Sequence, residues 1–308
     1  MCRFMAYHGP PVQLEELLYQ PDHSIIKQST DAEERSEPLN GDRWGVGWYE
    51  PEMTPEPAVY ARSDPPNDEN MRRVSPVVET PLYFAHVRTA SPGLAVHQLN
   101  CHPFPDGQHT LEDSRHRGEI AEGRQELMFM HNGGLGAYQE VVRRLQDELE
   151  RETYLGIRGT TDSEHASAVV RERLGEAVVE PEPSDLAAAV RDGLECLEGL
   201  KHEVGAAEET TWANFCLTDG ESIIATRYAS PADATAQSLY VGEAGSFVAG
   251  DGAFVGTPDP EGDAATIVAS EPLFEDDRVW RAVPRSHLVT VGPGGETGVE
   301  PLDLDVPA

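Results

Sequence analysis

Apolar positions along this chain follow two periods. Residues 2–8 (CRFMAYH) alternate as a short strand does, and Arg43–Glu50 (RWGVGWYE) reads as a strand spaced by glycines. Leu82–Arg88 (LYFAHVR) and Leu127–His131 (LMFMH) are near-continuous apolar runs of buried-strand length. The period then lengthens. Tyr138, Val141, Val142, Leu145 and Leu149 share one helical face, and a second helical pattern follows Asp162. Leu186, Val190, Leu194 and Leu197 form a third, with Ser184 placed as its N-cap. Strands return around Asp219-Gly220, a hairpin signal between Phe215–Leu217 and Ser222–Thr226, and continue at Ser238–Val241, Ala264–Ser270 and His287–Val291. The elements succeed one another without a linker or an internal repeat.

Stretches rich in Pro, Asp and Glu at 51–57, 63–70, 105–126, 176–185 and 256–263 read as solvated loops. The 105–126 stretch is long for a connection between strands, which makes it a surface insertion, either salt-adapted or an active-site cover.

Charge changes the picture more than length does. The 308 residues allow one large domain or two small ones, but 55 acidic against 23 basic residues leave a formal charge of −32. Only two of the basic residues are lysines, Lys27 and Lys201. Such a surface repels nucleic acid and anionic membrane alike, and its self-repulsion needs concentrated salt to screen it. The composition therefore predicts a salt-adapted protein. The N-terminus has no basic region ahead of an apolar stretch, and no run of about 18 apolar residues occurs, so neither export nor membrane insertion is expected. Cysteines at 2, 101, 196 and 216 lack disulfide-like spacing, which fits a reducing cytoplasm. His86, His97, Cys101, His102 and His131 crowd one third of the chain, but their spacing matches no zinc pattern and no metal is expected.

Cys2 is the first candidate for chemistry. Removal of Met1 would leave a residue with both a thiol nucleophile and a free α-amine, and the amine, titrating near ~7.7–8.0, can act as the thiol's own base. Four further clusters follow in order: HVRTASPG at 86–93, NCHPF at 100–104, FMHNGGL at 129–135 and GTTDSEHA at 159–166. With Cys2 at their head, these clusters resemble the class II glutamine amidotransferases, which are N-terminal-nucleophile hydrolases. The resemblance runs from Cys2 to about residue 175. It continues more faintly through Asp42–Tyr49 and Ala269-Ser270-Glu271-Pro272-Leu273, which look like the standalone branch that includes the ergothioneine-pathway γ-glutamyl hydrolase. Arg43 departs from the pattern, standing where glycine is expected after Asp42.

The resemblance implies an α+β fold, a four-layer αββα sandwich of two antiparallel sheets, carried by a single domain over residues 2–308. It implies cleavage of a γ-glutamyl amide, either glutamine or a γ-glutamyl-amine, through a Cys2 thioester, with no cofactor. Arg88 would bind the substrate carboxylate as a planar fork, with Ser91 adding a hydroxyl. Asp162 would hold the α-ammonium, and Asn132 and Gly133 would donate to the oxyanion. Structural readings compete at each position. Arg88 can be a strand-end ion-pair partner, Asp162 a helix N-cap, Asn132-Gly133 a turn, and His102 a core residue satisfied by backbone. Trp44 and its glycines can serve the Cys2 site or simply a tight strand crossing. The chain carries no synthase signature such as GxxxxGK or GxGxxG, so either a separate synthase subunit consumes released ammonia or the substrate is a γ-glutamyl-amine. A non-catalytic binding module would explain the fold clusters, but not Cys2, Arg88, Asn132 and Asp162 together.

Overall fold

The computed structural model describes residues 2–32, 43–88 except 51, 55, 65 and 67, then 97–105, 126–175, 178, 180–250, 253–257 and 264–306. Met1, Asp42, Ser91 and most of the 105–126 insertion lie outside the described residues. The alternating strands assemble into two sheets. The first runs, in spatial order, β13 (Trp280–Ala282), β9 (Tyr240–Ala244), β12 (Ala265–Ala269), β1 (Cys2–Gln13), β4 (Glu79–Arg88), β2 (Arg43–Trp48) and β3 (Ala58–Arg62). The second runs β15 (Thr297–Pro301), β14 (His287–Val291), β8 (Ile223–Ser230), β7 (Thr211–Thr218), β6 (Met128–Gly134) and β5 (Phe104–Pro105). Neighbouring strands in both sheets pair antiparallel. A separate hairpin joins β10 (Ser246–Gly250) to β11 (Ala253–Thr257).

The period of two sorts β1 into faces. Phe4 and Ala6, with Leu82, Phe84 and Val268 beside them, point between the sheets, where they meet Met128, Met130, Cys216, Ile223 and Val289. Met5 and Tyr7 point the other way, toward α1 (Leu14–Leu18), α2 (Ile25–Gln28) and Phe247 of the hairpin. On the far side of the second sheet, Phe129, Phe215 and Leu217 are covered by α4 (Tyr138–Asp147), α6 (Asp162–Leu174) and α7 (Pro183–Glu203). Two further α-helices among the described residues are α3 (Glu69–Val74) and α5 (Arg151–Gly156). The order is helix, sheet, sheet, helix, as expected from the resemblance. Each large apolar side chain between these layers contributes about 1.5–3 kcal/mol by leaving water.

Two details differ from the sequence reading. Helix α7 starts at Pro183 with Glu182 as N-cap, because proline suits a first turn that needs no N–H, and the Asp185 carboxylate accepts the Glu182 N–H at 3.0 Å; Ser184 lies inside the helix. Asn132-Gly133 is not a turn, since both residues pair within β6, opposite Asn214 and Ala213 of β7. The glycines of β2 serve the strand crossing. A Cβ on Gly45 would collide with the His102 carbonyl, and one on Gly47 would stand 2.8 Å from Pro103, so the NCHPF segment passes directly beneath them.

Candidate active site

Cys2 opens β1 and is buried, with 4% of its surface exposed. Its partner across the ladder is Arg88 at the end of β4, and Arg88 is in turn opposite Arg43 of β2. Directly opposed residues on a pleated sheet project to the same side. The thiol and two buried guanidiniums therefore share the inter-sheet face at one end of the first sheet. No ion pair links Arg88 to a carboxylate among the described residues, and its Nη1 has no hydrogen-bond partner among them, so the strand-end ion pair is not what those residues provide.

The intervening residue, Arg3, faces outward. Its Nε donates to Glu271 Oε1 at 2.5 Å and its Nη1 to the Cys2 carbonyl at 3.1 Å, while His23 Nε2 lies 2.7 Å from the other Glu271 oxygen. Arg3 and Glu271 are fully buried, so this pair fixes the Cys2 backbone from behind. Beside it, the Phe4 N–H donates to Ser270 Oγ at 3.0 Å and the Ser270 N–H returns to the Phe4 carbonyl at 2.9 Å.

The second sheet supplies the other side. Met128, Met130 and Asn132 face inward by alternation, and Asn132 Nδ2 reaches Ser270 Oγ at 3.3 Å across the gap between the sheets. Gly133 has no room for a side chain, because a Cβ there would run into the Trp212 carbonyl. Two residues later the Leu135 N–H donates to Asp162 Oδ2 at 3.0 Å, and the Ser163 N–H donates to Oδ1 at 2.9 Å. The cap of α6 is Thr161, whose Oγ1 accepts the Glu164 N–H at 3.2 Å. Asp162 therefore occupies the first helical position rather than the N-cap, and the helix dipole favours its negative charge there.

Three histidines fill the space behind. The rings of His86 and His102 stack with centroids 4.0 Å apart, and His86 Nε2 donates to the His131 carbonyl at 3.2 Å. His131 Nε2 donates to the Trp212 carbonyl at 2.8 Å, which leaves Nδ1 to accept from the Ser163 hydroxyl at 3.0 Å. Burial and the neighbouring Arg88 guanidinium push the His86 pKa down to about 3, and burial also lowers His102 and His131. All three rings are thereby held neutral. The expectation that backbone satisfies His102 fails, since neither ring nitrogen has a partner among the described residues. Nor do three or more His, Cys, Asp or Glu side chains converge as a metal site among those residues.

The remaining clusters meet here as well. Asn100 Oδ1 accepts the Thr160 N–H at 3.0 Å, and the Glu164 carboxylate accepts those of Arg158 and Gly159 at 2.8 and 2.6 Å. NCHPF and GTTDSEHA thus form one wall. Arg3, Glu271, Ser270 and Ser163 acquire contacts that the sequence reading did not assign. An arginine inside the otherwise apolar run MCRFMAY was the available signal for a buried charge pair.

A family model described as glutamine amidotransferases class-II matches residues 28–303. The chain belongs to the class-II glutamine amidotransferases. It is 30% identical over 310 residues to the probable glutamine amidotransferase DUG3 of Saccharomyces cerevisiae, covering 94% of this chain and 82% of that protein. It is 25% identical over 294 residues to the γ-glutamyl-hercynylcysteine sulfoxide hydrolase of Mycolicibacterium smegmatis, covering 94% and 96%. Among solved structures, a glutamine aminotransferase class-II domain protein from Silicibacter pomeroyi superposes with a TM-score of 0.61 at 25% identity over 99% of each chain. The glutamine phosphoribosylpyrophosphate amidotransferase of B. subtilis shares the fold alone, at 14% identity and a TM-score of 0.59, this chain spanning 50% of it. The two-sheet architecture of this class-II amidotransferase is that of the N-terminal-nucleophile amidotransferases. No helix among its described residues is long and apolar enough to cross a membrane.

Proposed function

We propose that this amidotransferase hydrolyses a γ-glutamyl amide through a thioester on Cys2, acting as a single unit over residues 2–308 after loss of Met1. The observation that carries the reading is the pairing of Cys2 with Arg88 on one sheet and the reach of Asn132 from the other sheet to Ser270, which is itself bonded to Phe4 of the Cys2 strand. The substrate α-carboxylate lies on the Arg88 fork with Ser91 as a further donor, and its α-ammonium on Asp162. The Cys2 thiolate attacks the γ-carbonyl. Its oxygen takes up the negative charge against the Asn132 amide and the Gly133 N–H, each donor contributing about 3–4 kcal/mol where water is excluded. Collapse breaks the C–N bond, and the amine leaves with a proton from the Cys2 α-ammonium. Water then attacks the thioester, the α-amine takes its proton, and glutamate departs as the thiol is restored.

The reading needs no cofactor. It draws support from the relatives named as a hydrolase and as a probable amidotransferase, both matched along nearly the whole of this chain. The name of the yeast relative also favours a second reading, in which the same step on glutamine delivers ammonia to a separate synthase subunit. The high acidity of the chain supports a salt-rich cytoplasm as its setting.

Incubation in concentrated salt with glutamine and a panel of γ-glutamyl amides, with glutamate measured, tests the proposal. Release from a γ-glutamyl-amine in preference to glutamine supports the hydrolase, and release from glutamine supports the ammonia-delivering subunit. No release from any member by protein lacking Met1 overturns both.

A further inference from the structure

We propose that Ser270 is the positioning residue that sets the Asn132 amide against the Cys2 strand. The inference rests on the reading of Cys2 as nucleophile and Asn132 as oxyanion donor. These two groups belong to different sheets, and nothing in the ladder of either sheet fixes the distance between them. The Ser270 hydroxyl spans that gap at the amide itself, beside the bond from His86 Nε2 of β4 to the His131 carbonyl of β6. Ser270 follows β12, is fully buried, and is bound to β1 twice, through its own N–H to the Phe4 carbonyl at 2.9 Å and through Oγ from the Phe4 N–H at 3.0 Å. The same Oγ accepts Asn132 Nδ2 at 3.3 Å.

A hydroxyl oxygen has two lone pairs, and here both face donors. One N–H of the Asn132 amide is thereby spent on Ser270, and the second remains for an incoming oxygen. The other end of the amide, Oδ1, is buried without a hydrogen-bond partner among the described residues. An amide left half-satisfied and anchored at its nitrogen is held for its free N–H rather than for the stability of the core. The sequence separation of the anchor explains why it is needed: Phe4 and Ser270 lie 266 positions apart, so the end of β12, late in the chain, locks the opening strand and carries the Asn132 contact with it. Because the contact concerns an oxygen that becomes charged only during the reaction, its loss reads out in kcat and not in binding.

The test is a double-mutant cycle on purified, Met1-processed protein in concentrated salt, with γ-glutamyl amide hydrolysis as the readout. Ser270→Ala is expected to lower kcat by at least about tenfold with KM within about twofold, and Asn132→Ala by about 10²-fold or more. In the Asn132→Ala background, Ser270→Ala is expected to lower kcat no further, since it acts through the amide that is already gone. Should Ser270→Ala fail to fold, the pair Ser270→Thr and Ser270→Val, which differ by a hydroxyl against a methyl, replaces it, with Thr retaining kcat and Val losing it. If Asn132→Ala lowers kcat and removal of the Ser270 hydroxyl does not, or if the two losses multiply in full, the inference is overturned alone. If Asn132→Ala leaves kcat unchanged, the underlying reading of the site is overturned with it.

Discussion

Cys2 and Arg88 stand directly opposite each other on neighbouring antiparallel strands, the first residue of one chain segment against the last of another. Their Cα atoms are therefore about 4.5–5.5 Å apart and their side chains share one face. The register is set by residues that have no chemistry. Phe4 opposite His86 and Ala6 opposite Phe84 place the same face of the sheet in the inter-sheet core, so a slip by one position would carry Cys2 outward and Arg3 inward. The buried Arg3–Glu271 pair penalises that slip further, because an unpaired guanidinium would then enter the core.

Arg88→Lys preserves charge at this position but loses the planar fork, and Asp162→Asn removes the charge while keeping the size. Both are expected to raise KM for a γ-glutamyl substrate by about 10- to 100-fold, the worth of a charge-assisted hydrogen bond, with a smaller effect on kcat. Steady-state kinetics on variants that melt as wild type decide it; an unchanged KM would return both residues to purely structural roles.

The neutral histidines make the fold sensitive to acid. His86 is shifted from 6.5 to about 3 by burial, so between those values the unfolded chain binds a proton that the folded chain refuses. Stability is therefore full above pH 6.5 and falls as the pH drops toward 3. Replacing His86 with Gln is expected to flatten the fall of Tm between pH 6.5 and 4, measured by thermal melts at constant salt. A slope identical to wild type would show that His86 does not govern it.

Which parts of this arrangement were legible beforehand follows from what each part depends on. The alternating segment at 2–8 and the near-continuous apolar runs at 82–88 and 127–131 give strands β1, β4 and β6, the last starting at Met128, because a continuous run is what a strand buried on both faces requires and alternation is enough where the two faces meet different layers. Strand β6 extends to Gly134, past the polar Asn132 and the flexible glycines, because pairing with Trp212, Ala213 and Asn214 outweighs local preference. Strands β3 and β15 gave no pattern: each is an edge strand with no fully buried residue to impose alternation. Cys2, Arg88, Asn132 and Asp162 could be picked out because their clusters are short and ordered. Ser270 and Glu271 could not be given roles, since their partners Phe4, Arg3 and Asn132 are brought to them only by the closed sheets.

Salt dependence follows from where the charges lie. Lys201 is buried against Glu198 at 2.7 Å, which leaves Lys27 as the single lysine on a surface that belongs to a chain with a charge of −32. The expected outcome is folding and activity that require high ionic strength, as the screening length grows from ~3 Å at 1 M salt to ~10 Å at 0.1 M. Thermal melts across a salt series test this, and equal Tm at both ends would contradict it.

The nucleophile can be separated from its base. Cys2→Ala is expected to abolish hydrolysis and leave the fold intact, because the thiol forms the covalent bond and the inter-sheet core does not depend on it. That result alone would not distinguish an N-terminal nucleophile from any other reactive cysteine. A protein with a residual N-terminal extension keeps the Cys2 thiol but converts its α-amine to an amide, which cannot take up a proton, and the added chain would crowd the pocket. A form ending in a free Cys2 amine, verified by intact mass, is expected to hydrolyse a γ-glutamyl amide while the extended form is silent. Removing the extension with a protease should then restore the rate. Full activity with Met1 still attached would refute the role of the amine and leave Arg3, Glu271 and Ser270 holding an ordinary buried thiol in place.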